Sequence, residues 1–375
     1  MRFEAVLSRV LFTTRIEGRH AVAGRSPNRV AQEERSARSA VGLAVLWFTR
    51  ASISTTWSGP ITPESDDDVE HVDILMGTKV TKTITEVLAE VSSKPPEEVR
   101  AHVLAHYIQL LKQQPRDAIN VEMDITFGPH ERHRLDLHTP KGKSPKPLPV
   151  VMFFYGGGFT RGHKNLHGEW IYGNVANFFV RNGFIGINAG YRLADQAQWP
   201  GGAEDVGRAV AWVKQNIAAY GGDPEFIFIM GHSSGATHVA TYALRPELHP
   251  ADGPGIAGVI IMSGGFYLTP EDPEPNHLAY YGPVEEWGDR ALIPHAQWGD
   301  FDVFLSTAEL EPYSFNRSFT EMVAALTARS GKMPKLAMFR THNHYSEQMA
   351  IGTGDEQIEA TLLDFVRGAV AKLTI

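Results

Sequence analysis

Residues 226–240 read FIFIMGHSSGATHVA. Phe226 to Met230 are apolar without interruption, as in a strand covered on both faces. Gly231-His232-Ser233-Ser234-Gly235 follows, and then a run of small residues suited to a closely packed helix. A G-x-S-x-G pentapeptide alone says little, because glycine and serine are common. Between a buried strand and a helix it has a mechanical meaning: the serine takes strained backbone angles on a sharp turn, and the flanking glycines let strand and helix close around it. Ser233 is then held above the sheet at a helix N-terminus, whose dipole favours negative charge developing nearby. The plainer reading makes Ser233 an N-cap and nothing more.

Similar apolar runs recur on both sides of this stretch, at Val150 to Tyr155, Phe184 to Asn188, Ala257 to Met262, Phe301 to Leu305 and Leu336 to Phe339. Amphipathic stretches separate most of them: Trp170 to Arg181, Ala203 to Tyr220, Thr237 to Leu244, Ser314 to Arg329 and Asp355 to Leu373. Strand–helix alternation of this kind predicts an α/β fold, a mostly parallel central sheet with helices on both faces. NVEMDITFG (120–128) and HRLDLHTP (133–140) alternate instead, and predict an antiparallel pair at the sheet edge. Two helices precede every strand: one marked by Ile84, Val87, Leu88 and Val91, the other Pro96 to Lys112 with Val99, Val103, His106, Tyr107 and Leu110 on one side. The expected partition is a helical cap segment at 81–120 and a catalytic domain at 121–375. Within that domain a Pro-, Glu- and aromatic-rich excursion at 269–297 passes over the strand ends like a lid.

Bulk composition narrows the function. With 375 residues, 43% hydrophobic and 21% charged, the chain has the makeup of a soluble globular protein. A formal charge of −8 argues against nucleic acid as a partner, since phosphate binding needs clustered Lys and Arg. No cysteine is present, which removes disulfides, thiolate metal sites and a cysteine nucleophile. No apolar run approaches the roughly 20 residues of a membrane-spanning helix. Residues 1–50 hold nine Arg, no Lys and four Glu, with an apolar run from Ala40 to Phe48. Residues 1–80 are expected to be a disordered or non-native extension rather than a targeting signal, and the composition leans to a cytoplasmic location.

A serine hydroxyl needs a neighbouring base before it attacks. Of the 16 histidines, His342 and His344 follow the last predicted strand, where this kind of fold carries its base; His344, beside the helix entry at Tyr345 and Ser346, is preferred. The acid that orients the base should follow the preceding strand, where STAELEPYSF offers Glu309 and Glu311; Glu311, next to Pro312, is preferred. VMFFYGGGFTRG (151–162) ends a strand in three glycines, whose uncovered amides suit an oxyanion. Gly157 and Gly158 supply two donors in this reading, and Ser234 a third. A phosphate loop does not fit, because the Lys and Ser/Thr of that motif are missing. His130, Glu131 and His133 lie close in sequence but without a fourth ligand, and are read as solvated loop residues rather than a metal site.

Over residues 121–375 the chain resembles the α/β-hydrolase fold, and within it the carboxylesterases related to hormone-sensitive lipase and to kynurenine formamidase. The resemblance rests on Tyr155-Gly156-Gly157-Gly158-Phe159, Tyr191-Arg192-Leu193-Ala194, Trp199-Pro200 with Glu204-Asp205 and Trp212, Gly221-Gly222-Asp223-Pro224, Tyr280-Tyr281-Gly282, and Asn343-His344. Two positions depart from it: Tyr155 stands where a His usually opens the glycine segment, and Glu311 where Asp is commoner. The resemblance implies a serine carboxylic-ester hydrolase acting through an acyl-enzyme on short-chain or aryl esters, without metal or organic cofactor. An arylformamidase and a non-catalytic binding protein are the alternatives. Tyr155, Phe159, Tyr280 and Tyr281 are expected to bind substrate, and Tyr107, Trp287 and Trp298 to help roof an apolar pocket. A homodimer is left open.

Overall fold

The structure, a computed structural model, describes residues 82–374 except Glu169. The expected extension at 1–80 lies outside the described residues. Thr83 opens α1 (Ile84–Val91) with a reciprocal cap, its hydroxyl accepting from the Glu86 amide while the Glu86 carboxylate accepts from the Thr83 amide. Pro96, at the first position of α2 (Pro96–Leu111), needs no amide partner there. The anticipated one-sided stripe on α2 is corrected. Ala101, Leu104, Ala105, Ile108 and Leu111 are buried together with Val103 and Tyr107, while Val99, His106 and Leu110 are half-buried. The helix is thus covered around most of its circumference and packs on other elements rather than on one surface.

Eight strands make one sheet in the order β1-β2-β4-β3-β5-β6-β7-β8. β1 (Ile119–Thr126) and β2 (Arg134–Pro140) pair antiparallel, and β2 joins β4 (Ile185–Ala189) antiparallel as well. From β4 onward, β3 (Leu148–Phe154), β5 (Gly222–His232), β6 (Gly258–Met262), β7 (Asp302–Leu310) and β8 (Lys335–Asn343) run parallel. Every residue of β4 and β6 is buried, as their unbroken apolar sequences require. β8 departs from the expectation of two-sided cover: it is the last strand, and Leu336 and Met338 are exposed. β7 runs five residues past the expected end at Leu305, because its polar continuation keeps pairing with β8 as far as Leu310.

Between the parallel strands run α3 (Gly173–Arg181), α4 (Gly201–Asn216), α5 (Ser234–Leu244), the short α6 (Pro275–Tyr281) and α7 (Trp287–Arg290), and α8 (Tyr313–Ser330), while α10 (Glu356–Leu373) follows the last strand. All of α5 is buried. It sits so close to the sheet that a β-carbon on Gly235 would lie 2.2 Å from the Phe154 carbonyl oxygen, and one on Gly231 2.3 Å from the Gly235 oxygen. Those two glycines are therefore packing requirements of the strand–helix turn. Among the described residues no helix is long and apolar enough to cross a membrane. The C-terminal ends of β3, β5, β7 and β8 bring their loops to one edge of the sheet, where open α/β folds place ligands.

Candidate active site

Ser233 follows β5 directly with φ 56° and ψ −125°, a left-handed conformation unusual for a residue with a β-carbon. Its amide donates to the Met262 oxygen (3.1 Å) and its carbonyl accepts from the Thr237 amide (3.1 Å), so neighbouring β6 and the first turn of α5 hold the strained residue. The side chain does not cap the helix. It turns instead to His344, whose Nε2 lies 2.9 Å from Ser233 Oγ. Both Glu311 oxygens lie 3.1 Å from His344 Nδ1.

Local sequence fixes both partners. Asn343 ends β8 and its side-chain oxygen accepts from the amides of Tyr345 (3.1 Å) and Ser346 (2.9 Å), while Ser346 Oγ accepts from the Asn343 amide (2.9 Å). That reciprocal turn launches α9 (Ser346–Met349) and sets His344 at its corner. The Phe315 ring packs 4.2 Å from the imidazole, centroid to centroid. Glu311 is the first residue after β7, and its side chain is fully buried. Burial favours the neutral imidazole, but the Glu311 carboxylate, with a lesser push from Glu347, outweighs it and raises His344 above its ordinary value.

The rival candidates are engaged elsewhere. Glu309 accepts from the Thr341 amide (2.7 Å). His342 is buried, with Nδ1 3.1 Å from Ser346 Oγ and Nε2 3.0 Å from Asp355 Oδ2.

A cavity of about 640 Å³ opens over Ser233, and Gly156, Gly157 and Gly158 form part of its wall. A β-carbon on Gly157 would meet the Arg161 oxygen at 2.0 Å, so the loop turns back on itself more tightly than any side chain allows. Among the described residues the amides of Gly157, Gly158 and Ser234 donate to no acceptor. Ser234 itself is buried, its hydroxyl 3.5 Å from the Tyr191 hydroxyl.

The aromatic expectations need correction. Tyr155 is fully buried behind the glycine loop, stacked on Tyr191 (4.6 Å), and its hydroxyl accepts from Arg132 Nη2 (2.6 Å). Phe159 stacks on Tyr280 (4.4 Å) in a cluster with Tyr281 and Trp287, all of them buried. Tyr107 is buried in the main core, and Trp298 donates to the Phe301 oxygen (2.7 Å). None of these residues lines the Ser233 cavity, whose apolar wall includes Val99, Tyr172, Leu310, Phe315, Tyr345 and Met349. Large aromatics gain most from full burial, and here the core takes them. The solvated reading of His133 is overturned too: it is buried, with Nε2 2.9 Å from Asp205 Oδ1. Asp205 in turn holds the Arg192 amide (2.8 Å) and the guanidinium groups of Arg192 and Arg208 (2.8 and 2.7 Å). This brace locks the loop after β4 to α4.

Two residues of the site went unread in the sequence. Glu347 is fully buried beneath His344 and accepts from Ser263 Oγ (2.5 Å) and Ser306 Oγ (2.8 Å). Burial first, then the Glu311 charge, push it up to about 7 despite those hydroxyls. Its signal was a glutamate three residues beyond the base, on a short helix entering an apolar run. His232 packs 4.7 Å from the His344 ring, its buried Nε2 without a hydrogen-bond partner among the described residues, and burial pushes it well below the ordinary range.

The sheet, the strained serine and the histidine beyond the last strand define a protein of the α/β-hydrolase fold. Residues 135–251 match the family model described as BD-FAE. The chain is 37% identical over 134 residues to esterase LipQ of Mycobacterium tuberculosis, covering 35% of this chain and 31% of that protein. It is 30% identical over 180 residues to bile salt-activated lipase of Homo sapiens, covering 44% and 23%. The chain thus spans under a third of the length of these curated relatives. A solved bacterial heroin esterase superposes with a TM-score of 0.58 at 21% identity, over 76% of this chain and 97% of that one, and shows the shared fold.

Proposed function

We propose that the protein is a serine carboxylic-ester hydrolase acting through an acyl-enzyme. The observation that carries this reading is the hydrogen-bonded chain Ser233–His344–Glu311, open to a cavity walled by the glycine loop. Ser233 Oγ attacks the ester carbon as its proton passes to His344 Nε2. The carbonyl oxygen, now an anion, takes hydrogen bonds from the amides of Gly157, Gly158 and Ser234; each such donor is worth about 3–4 kcal/mol of barrier. Glu311 fixes the imidazole and stabilises its cation. The tetrahedral adduct collapses with cleavage of the bond to the alcohol oxygen, which takes the proton from Nε2. Water, deprotonated by the same nitrogen, then attacks the acyl carbon and frees Ser233.

A cavity of about 640 Å³ suits short-chain and aryl esters. In this reading residues 121–375 are the catalytic domain, 81–120 the cap and 269–297 the lid. Ser92, Val99 and Arg100 border the cavity from the first segment, and Glu274 and Asn276 from the last. The relatives and the solved structure cited above are named as esterases or lipases, which favours esters over formamides. We carry forward a small-molecule ester substrate as an expectation from the resemblance and a cytoplasmic location as one from composition. Reaction with a fluorophosphonate probe tests the mechanism: a stoichiometric adduct on Ser233 is expected, and an unlabelled protein points to a binding role.

A further inference from the structure

We infer that the ester this site takes carries a carboxylate, held by the guanidinium groups of Arg161 and Arg100; the inference rests on the hydrolase reading above. Both arginines line the cavity that holds Ser233. They come from different places: Arg161 from the loop after β3, Arg100 from α2.

Arg161 is seated by the glycine turn itself, its amide donating to the Gly157 oxygen (3.2 Å). Its side chain is exposed and, among the described residues, makes no hydrogen bond or ion pair. The charge next to the proposed oxyanion donors is therefore unspent. Arg100 and Arg161 share that cavity wall with Tyr345; burial raises its phenol, Arg100 and then Arg161 oppose the rise, and Glu311 and Glu97 add to it. Ser233 and His344 line the same cavity, so both charges share it with the reacting centre.

The acids on the rest of the wall leave the Arg161 charge standing. Lys94 is paired with Glu98 (2.5 Å) and Glu311 with His344, which leaves Glu274 as the acid a bound carboxylate must avoid. Against a chain of net charge −8, two arginines over the nucleophile run counter to the bulk. A planar guanidinium fork matches a carboxylate in two parallel hydrogen bonds, and does so best where water is partly excluded.

The test compares charged and neutral partners of like shape at low ionic strength. p-Nitrophenyl hydrogen glutarate against p-nitrophenyl pentanoate places the charge on the acyl side, and 4-acetoxybenzoate against 4-acetoxybenzamide on the alcohol side. We expect at least one charged member to exceed its partner tenfold or more in kcat/KM, the ratio to fall at least fivefold in Arg161→Gln and Arg100→Gln, and the ratio to fall with added salt. Ratios at or below one on both sides, or a preference that neither substitution nor salt changes, overturn the inference. Should a variant fail to fold, salt dependence in the unaltered protein decides. If no ester turns over and Ser233 is not labelled, the hydrolase reading fails by itself. Calorimetric titration of glutarate then still judges the anion site: binding lost in Arg161→Gln supports it, and absence of binding in the unaltered protein refutes it.

Discussion

A β-carbon added to Gly156 would stand 2.8 Å from the Cβ of Ser233 and 3.2 Å from the carbonyl oxygen of His232. The first glycine of the loop therefore makes room for the nucleophile's turn, whereas Gly157 makes room for the loop's own return. Overfilling so tight a contact costs about 1–3 kcal/mol. Gly156→Ala should lower the melting temperature by several degrees and kcat/KM by at least tenfold, read by calorimetry and a p-nitrophenyl ester assay. Unchanged values for both would show that the turn is looser than described.

Glu311 and Glu309 lie two residues apart but serve different partners. Glu311→Gln should cost about 10²–10⁴ in kcat, as loss of the carboxylate facing a catalytic imidazole does, while Glu309→Gln should stay within about threefold. The pH profile carries a second sign. Attack needs the neutral imidazole, so kcat/KM should rise with pH through a midpoint above 6.5, the ordinary histidine value, because His344 is raised. Without the Glu311 charge burial prevails, and that limb should move to lower pH. A limb that stays in place in Glu311→Gln would mean another group sets it.

Glu347, buried between Ser263 and Ser306, ties acid chemistry to stability. Its folded value is about 7 against an ordinary 4.5, so between these pH values the native chain keeps a proton that the unfolded chain releases. Stability must therefore decline as pH rises across that window. His344 adds a decline of its own, which both proteins share. Glu347→Gln should flatten the fall in melting temperature between pH 5 and 7 relative to the unaltered protein. Parallel curves would place the proton elsewhere.

Phe159 stacks on Tyr280 at 4.4 Å with an interplanar angle of 3°, away from the Ser233 cavity. Phe159→Ala should then act as a core truncation, costing about 3–5 kcal/mol of stability. Measured well below the melting temperature, KM for butyrate esters should change less than threefold. A large KM effect in a stable protein would return Phe159 to the substrate pocket.

What could be read from sequence divides along a physical line. Unbroken apolar runs such as Phe226 to Met230 and Ala257 to Met262 read as doubly covered strands, and the alternation of strands with helices followed from them; Leu336 to Phe339 reads the same way but lies in the last strand with Leu336 and Met338 exposed. His344 and Glu311 could be named because each follows a strand whose place in the chain was already set. Aromatic placement could not be read, because Tyr155 and Tyr280 have the same chemistry in a pocket wall as in a core, and only tertiary packing chooses. β7 was read short because its end, Ser306 to Leu310, mixes polar residues into a strand that still pairs with β8. Arg161 and Glu347 look like ordinary charged residues until the fold brings them to the serine.

The central claim is that Ser233 forms an acyl intermediate, and pre-steady-state hydrolysis of p-nitrophenyl butyrate tests it most directly. The account predicts a burst of p-nitrophenol equal to the enzyme present, lost in Ser233→Ala together with a fall in kcat of about 10³–10⁶. Turnover by a folded Ser233→Ala protein at the rate of the unaltered chain would contradict it.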